Sequence, residues 1–150
     1  MAEAVLRFLR ESKLTAFLSS DHWQVRAGEK WFERIAAELK EAKIVILLLS
    51  PQSVERPWIN FEAGWAWATS TKNIIPLCFG ELTKRAMPRP YSDLQGLNLR
   101  SDYYDLVKDC HRYLNPNNLA PPPLSSDDPS VKALLEELDR VEPLLAQKAD

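Results

Sequence analysis

Glycine, cysteine and histidine are scarce in this chain, and it has no long apolar run. Only four glycines occur, Gly28, Gly64, Gly80 and Gly96, and they are too scattered to form a phosphate-cradling loop. Two cysteines, Cys78 and Cys110, are too few for a disulfide framework, so both are expected as reduced thiols. His22 and His111 add no zinc-ligand spacing, no metal site is expected, and no Ser-His-Asp set is suggested by spacing. No apolar stretch approaches the roughly 20 residues of a membrane span. The start, Met1-Ala2-Glu3-Ala4-Val5-Leu6-Arg7, lacks the pattern of a secretory signal. A net charge of −2 gives no global attraction to nucleic acid or to an anionic membrane. Neither nucleic-acid binding nor membrane association is expected, and the expected compartment is the cytoplasm.

What is present suits one soluble domain with a single core: 150 residues, 45% hydrophobic and 27% charged. Val5, Phe8 and Leu9 recur at helical spacing and predict a helix over 2–12. Leu14 to Ser19 reads as a short strand, and Asp21 to Gly28 as a polar loop. Phe32, Ile35, Ala36 and Leu39 mark a helix over about 29–41. Ile44-Val45-Ile46-Leu47-Leu48-Leu49-Ser50 is the strongest strand. It is apolar on both faces, as the middle of a parallel sheet requires. A helix over 57–70 and a strand over 73–79 follow. Pro76 cannot donate to a ladder, so that strand is read as an edge or as bulged.

Beyond Gly80 the pattern becomes irregular. Leu94 to Leu99 allows a short strand, and 102–114 reads as helical. Residues 115–128, with Pro121-Pro122-Pro123, read as a semi-extended linker, and 129–150 hold a last helix capped by Asp128. Its apolar stripe either docks back on the domain of residues 1–114 or meets another chain, and Pro143 is expected to kink or end it. The alternation of helix and strand argues for a doubly wound α/β domain. Such folds open with a strand near the sheet centre. This pattern starts on a helix. The expectation is therefore that the first strand is missing, through truncation or a late start codon, unless the fold fills the gap in another way.

One short motif carries chemistry. Pro57 fits the first position of its helix, and Trp58 and Glu62 then stand four apart on one face. A carboxylate beside an aromatic ring thus lies one turn into a helix, just past the carboxyl end of a central-type strand. In open α/β sheets that edge is where ligands bind. Ser50 ends the strand at the same edge, either to bond a ligand or to close the turn. Trp65 and Trp67, two apart, cannot both face inward, and Trp67 is the one expected on the surface. Lys84, Arg85 and Arg89 form a small basic cluster, read as a solvated loop or a phosphate contact.

From Phe17 to Leu82 the chain resembles a TIR (Toll/interleukin-1 receptor) domain of bacterial type. The likeness rests on Phe17-Leu18-Ser19-Ser20-Asp21, Ala27-Gly28-Glu29-Lys30-Trp31 and Leu47-Leu48-Leu49-Ser50-Pro51. Pro57-Trp58-Ile59-Asn60-Phe61-Glu62-Ala63-Gly64 and Ile74-Ile75-Pro76-Leu77 complete an ordered set over a little under half the chain. The resemblance implies a flavodoxin-like fold with a parallel sheet, of which the opening strand and its pocket-lining loop are expected to be missing here.

The resemblance also implies a job. Many members cleave NAD+ into nicotinamide and ADP-ribose or a cyclic variant, with NAD+ as substrate and no cofactor. Others are non-catalytic interaction modules. Glu62 inherits the catalytic place, with Trp58, Ser50, Asp21 and Trp23 as substrate contacts. Trp23, Val25 and Arg26 fall in the family's assembly loop, which implies a homo-oligomer, an additional sensor or effector partner and a part in anti-phage defence. The chemistry is consistent with a single acid. Ordinary glycoside hydrolysis needs two carboxyl groups, but nicotinamide leaves neutral from a cationic nitrogen and requires no general acid. One carboxylate can stabilise the oxocarbenium-like ribose.

Overall fold

The computed structural model describes residues 1–18, 31–68, 73–115, 117, 121 and 123–147, with backbone alone at Trp31, Phe32, Arg34 and Trp58. Its centre is a parallel sheet of β1 (Ile44–Leu49), β2 (Asn73–Cys78) and β3 (Leu97–Asn98), in that spatial order. β1 and β2 pair in register along their whole length, from Ile44 opposite Asn73 to Leu49 opposite Cys78. β3 joins only at the far end, with Leu97 opposite Leu77 and Asn98 opposite Cys78.

Period-two alternation along β1 divides the core into two layers. Val45, Leu47 and Leu49 are buried in one layer with Ala63 and Ala66 of α3 (Pro57–Ala68), and with Leu82, Met87 and Tyr91 from the loops. Ile44, Ile46 and Leu48 pack against the other layer. That layer holds Val5, Phe8 and Leu9 of α1 (Ala2–Glu11), Leu106, Val107 and Cys110 of α4 (Tyr103–Leu114), and Val131, Leu134 and Leu138 of α5 (Pro129–Ala146). The Phe8 ring meets the Tyr103 ring edge-on at 6.4 Å, joining α1 to α4. Helices cover both faces of a parallel sheet, which is the doubly wound α/β class. α2 (Trp31–Glu41) leads into β1 and buries Ile35. Among the described residues, no helix is long and apolar enough to cross a membrane.

Local chemistry explains where the helices stop. α1 ends with Lys13 at φ 65, and the Leu14 N–H donates to the Leu9 carbonyl while the Lys13 N–H donates to that of Arg10. This pair of bonds is a Schellman motif, with lysine in the left-handed position that glycine usually takes. α5 starts at Pro129, capped by Asp128, whose carboxylate accepts the Ser130 N–H at 2.9 Å.

Three features differ from the sequence reading. Leu14 to Leu18 is extended but joins no ladder. Instead, it lines one cavity of about 380 Å³ together with Ile44 to Leu48. Pro76 lies in the middle strand of the three, not in an edge strand or at a bulge. Its ring is tolerated because the β1–β2 bonds run through Asn73 and Phe79 and so, by alternation, through the odd-numbered residues. Pro76 therefore faces the β3 side, at a level where β3 has not yet begun. Finally, α5 continues past Pro143 to Ala146, so the proline neither ends the helix at its own position nor stops its last turn, whose Leu145 carbonyl accepts from Gln52 Nε2 at 2.9 Å.

The α1–α5 layer should dominate stability. Leu134→Ala, at a position 1% exposed, is expected to lower the unfolding free energy by about 2–5 kcal/mol. Leu144→Ala, on the exposed side of the same helix, should stay within about 0.5 kcal/mol. Urea denaturation of the two variants side by side checks the assignment.

Candidate functional site at the carboxyl edge of the sheet

Three strands running in one direction send three loops to one edge. After β1, Ser50 and Ser53 close the turn on each other. The Ser50 N–H donates to Ser53 Oγ at 2.7 Å, the Ser53 N–H donates to Ser50 Oγ at 3.2 Å, and the Ser53 hydroxyl donates to the Leu48 carbonyl at 3.1 Å. Ser50 is buried by this turn and is not among the residues lining the cavity beside β1. Of the two roles open to it in the sequence, turn closure is the one its hydrogen bonds show.

α3 rises from this turn, with the Asn60 N–H donating to the Arg56 carbonyl as one of its opening bonds. Glu62 lies in the second turn, 6% exposed, and is the one buried carboxylate among the described residues. It lines the same cavity as Leu47 and Leu48. Burying a carboxylate is costly unless other groups serve it, and Glu62 has an interaction within the fold; its place on the cavity is what makes it the candidate for chemistry. Neighbouring side chains fix the helix that carries it. The buried Tyr91 hydroxyl donates to Asn60 Oδ1 at 2.6 Å, tying α3 to the loop after β2. Burial also pushes the Tyr91 phenol above its ordinary pKa, so it stays a donor at neutral pH. Nothing in the sequence marked this pair, because Tyr91 lies in a proline-rich stretch with no periodicity.

The other side chains of α3 divide differently from expectation. Trp67 is half-buried and packs against the layer of Val45 and Leu47, so it is not the surface tryptophan. Among the described side chains of α3 the exposed aromatic is Phe61, 37% accessible, with its ring 6.0 Å from that of Trp65. The side chain of Trp58, and Asp21, Trp23, Val25 and Arg26 entirely, lie outside the described residues.

α5 bolts onto the same edge. Glu142 Oε1 accepts the Gly80 N–H at 3.1 Å just after β2, and Arg100, just after β3, donates to Asp139 at 2.8 Å and to Glu142 at 2.7 Å. Gly80 has φ +68, and an added Cβ would stand 3.4 Å from Leu145 Cδ1, so the position suits glycine on both counts. Asp102 pins the end of β3. It accepts the Asn98 N–H at 2.9 Å, Lys84 Nζ at 2.8 Å and the Ser101 hydroxyl at 2.8 Å. All three residues of the basic cluster, Lys84, Arg85 and Arg89, are exposed, and Lys84 is the one paired with Asp102.

The two thiols are buried structural groups. Burial pushes Cys78 up to about 11, with Lys84 opposing, and pushes Cys110 up to about 12, with Asp109 adding to the effect. Neither is a thiolate nucleophile near neutral pH. Among the described residues, no group of three or more histidine, cysteine, aspartate or glutamate side chains could hold a metal ion.

A doubly wound parallel domain whose buried acid sits beside the carboxyl edge of the sheet is the class these observations define. The sequence profile of the TIR domain family matches residues 1–111, about three-quarters of the 150 residues, and the chain belongs to that family. No curated protein matches it.

Two measurements probe how this edge is held. Tyr91→Phe should cost about 1 kcal/mol by removing the bond to Asn60 without changing the packing, and thermal unfolding reads it. For Asp102, burial pushes the carboxyl group up, but the Asn98, Lys84 and Ser101 bonds together hold it below its ordinary value. Its stabilising contribution is therefore fully present above the ordinary carboxylate pKa and is lost as pH falls through the lowered one. Asp102→Asn should flatten the decline in stability below about pH 4, as followed by urea midpoints across an acid series.

Proposed function

We propose that this chain is a bacterial-type TIR NAD+ glycohydrolase that releases nicotinamide and forms linear or cyclic ADP-ribose, with Glu62 as the catalytic carboxylate. The observation that carries this reading is the burial of Glu62, the one buried acid among the described residues, beside a largely apolar cavity where α3 leaves the carboxyl edge of a parallel sheet. In such surroundings a carboxylate interacts with developing positive charge far more strongly than it would in water. Its task is to stabilise the oxocarbenium-like ribose as neutral nicotinamide departs, and to hold ribose hydroxyls.

Trp58, four residues before Glu62 in the sequence, is proposed as a substrate contact. Asp21 and Trp23 are further proposed substrate contacts, and Ser50 contributes only if its turn opens. Trp23, Val25 and Arg26 are proposed as self-association residues, with assembly switching activity on within an anti-phage response. A cytoplasmic setting and an additional sensor or effector partner belong to the same proposal.

The test is nicotinamide release from NAD+ by concentrated protein with a crowding agent. Glu62→Ala and Glu62→Gln are expected to reduce the rate by about 10²-fold or more while circular dichroism stays unchanged. Val25→Asp should lower turnover and sedimentation-detected self-association together. Cleavage that survives both Glu62 substitutions would refute the assignment of the catalytic residue. Absence of cleavage at every concentration tested, with self-association intact, would favour the non-catalytic interaction module.

A further inference from the structure

α5 is held in two different ways along its length. Val131, Leu134 and Leu138 are buried in the core layer, and no described side chain of the helix beyond Leu138 is buried. Val141 and Leu145 pack there only in part. From residue 139 onward the attachment is mostly polar, and it reaches all three loops of the carboxyl edge. Gln52 Nε2, after β1, donates to the Leu145 carbonyl at 2.9 Å. The Gly80 N–H, after β2, donates to Glu142 Oε1 at 3.1 Å. Arg100 Nη2, after β3, donates to Asp139 Oδ1 at 2.8 Å and to Glu142 Oε2 at 2.7 Å. A cleft of about 320 Å³ is lined by this part of α5 and by Gly80, Glu81 and Arg100, so bonds more than close packing join them.

The same residues make a helix end that is weak on its own. Pro143 has no N–H to give to the Asp139 carbonyl four residues back. The last turn carries no basic side chain, while Asp139 and Glu142 place negative charge toward the negative end of the helix dipole. Arg140, the one cation between residues 139 and 146, is turned back onto Glu137 at 2.6 and 2.9 Å. The compensating charge therefore comes from outside the helix, and Arg100 supplies it. One of the loops held in this way leads to the candidate site. Gln52 sits in the turn whose Ser53 and Val54 N–H groups donate to the Ser50 carbonyl at 3.1 and 3.2 Å. α3 follows that turn at Pro57 and carries Glu62. Gln52 Oε1 is buried without a hydrogen-bond partner, so the bond to Leu145 is what orients this amide.

We propose that residues 139–146 of α5 are a strap across the carboxyl edge, that Arg100 is its clasp, and that Gln52 carries its hold to α3 as a positioning residue for Glu62. Clasped, the strap fixes the three loops relative to one another. Released, it frees the loop after β1 while the core half of α5 stays docked. The positioning of Glu62 for catalysis rests on the proposed glycohydrolase activity; the strap itself does not.

The test is amide hydrogen exchange, read by NMR on the whole chain and on Arg100→Ala, Gln52→Ala and their combination. In Arg100→Ala, exchange at Ser53, Val54 and Gly80 is expected to quicken by about threefold or more, with Leu134 and Leu138 unchanged. Arg100→Lys, which keeps the charge, should recover most of the protection. Gln52→Ala should quicken Ser53 and Val54 at least as much, and adding Arg100→Ala should then change nothing further there, because both act on one connection. Nicotinamide release from NAD+ by the same set should show a lower kcat with KM nearly unchanged in both single variants, restored by Arg100→Lys. Unchanged exchange at Ser53 and Val54 in Arg100→Ala, equal quickening at Leu134 and Leu138, or additive effects in the double variant would each overturn the strap. Quickened exchange with an unaltered kcat would overturn the positioning role. If the unaltered chain releases no nicotinamide, the glycohydrolase reading fails and the exchange data alone decide the strap.

Discussion

The parallel ladder between β1 and β2 is the constraint on which the remaining structure depends. Its register, Ile44 opposite Asn73 through Leu49 opposite Cys78, determines which side chains enter each layer. A slip of one residue would exchange the Val45-Leu47-Leu49 set with the Ile44-Ile46-Leu48 set. α3 would then lose the surface against which Ala63 and Ala66 pack, and Glu62 would lose its place beside Leu47 and Leu48. The buried acid is thus a consequence of strand register and not only of its own helix. The same parity explains how Pro76 survives in a middle strand, because its missing donor faces a level that β3 does not reach.

The carboxyl edge is unusually well braced for a set of loops. Each strand end is tied by a different chemistry: paired serine bonds after β1, Glu142 on the Gly80 amide after β2, and the bonds to Asp102 after β3. All three edge loops reach α5, through Gln52, Gly80 and Arg100. Surface ion pairs contribute little one at a time. Here they share acceptors with backbone amides at strand ends, so their effect is geometric as well as energetic. α5 is both a wall of the core, through Val131, Leu134 and Leu138, and a strut under the edge.

Much of this was legible in the chain. Where periodicity is strong, as at Val5-Phe8-Leu9 or along Ile44 to Leu49, elements lie within a residue or two of their expected bounds. The parallel α/β class followed from their alternation. The resemblance pointed to Glu62, and the structure buries it against the cavity. What the sequence could not show is tertiary. Leu14 to Leu18 has strand composition, but composition does not supply a partner, and no described strand pairs with it. Trp67 was misjudged because α3 is apolar on nearly every side, so no stripe distinguishes core from surface. The Tyr91–Asn60 bond and the Asp102 cluster join residues far apart in sequence, and no local pattern announces such pairs.

Glu62 and residues 44–48 of β1 line one cavity. A carboxylate stabilises a developing cation in proportion to how well water is kept away. Leu47 and Leu48 line that cavity beside Glu62 and limit the water that can share it. The strand that sets the fold thereby also sets the surroundings in which the acid would act, so a polar substitution at Leu47 would weaken the electrostatic effect of Glu62 without touching the carboxylate.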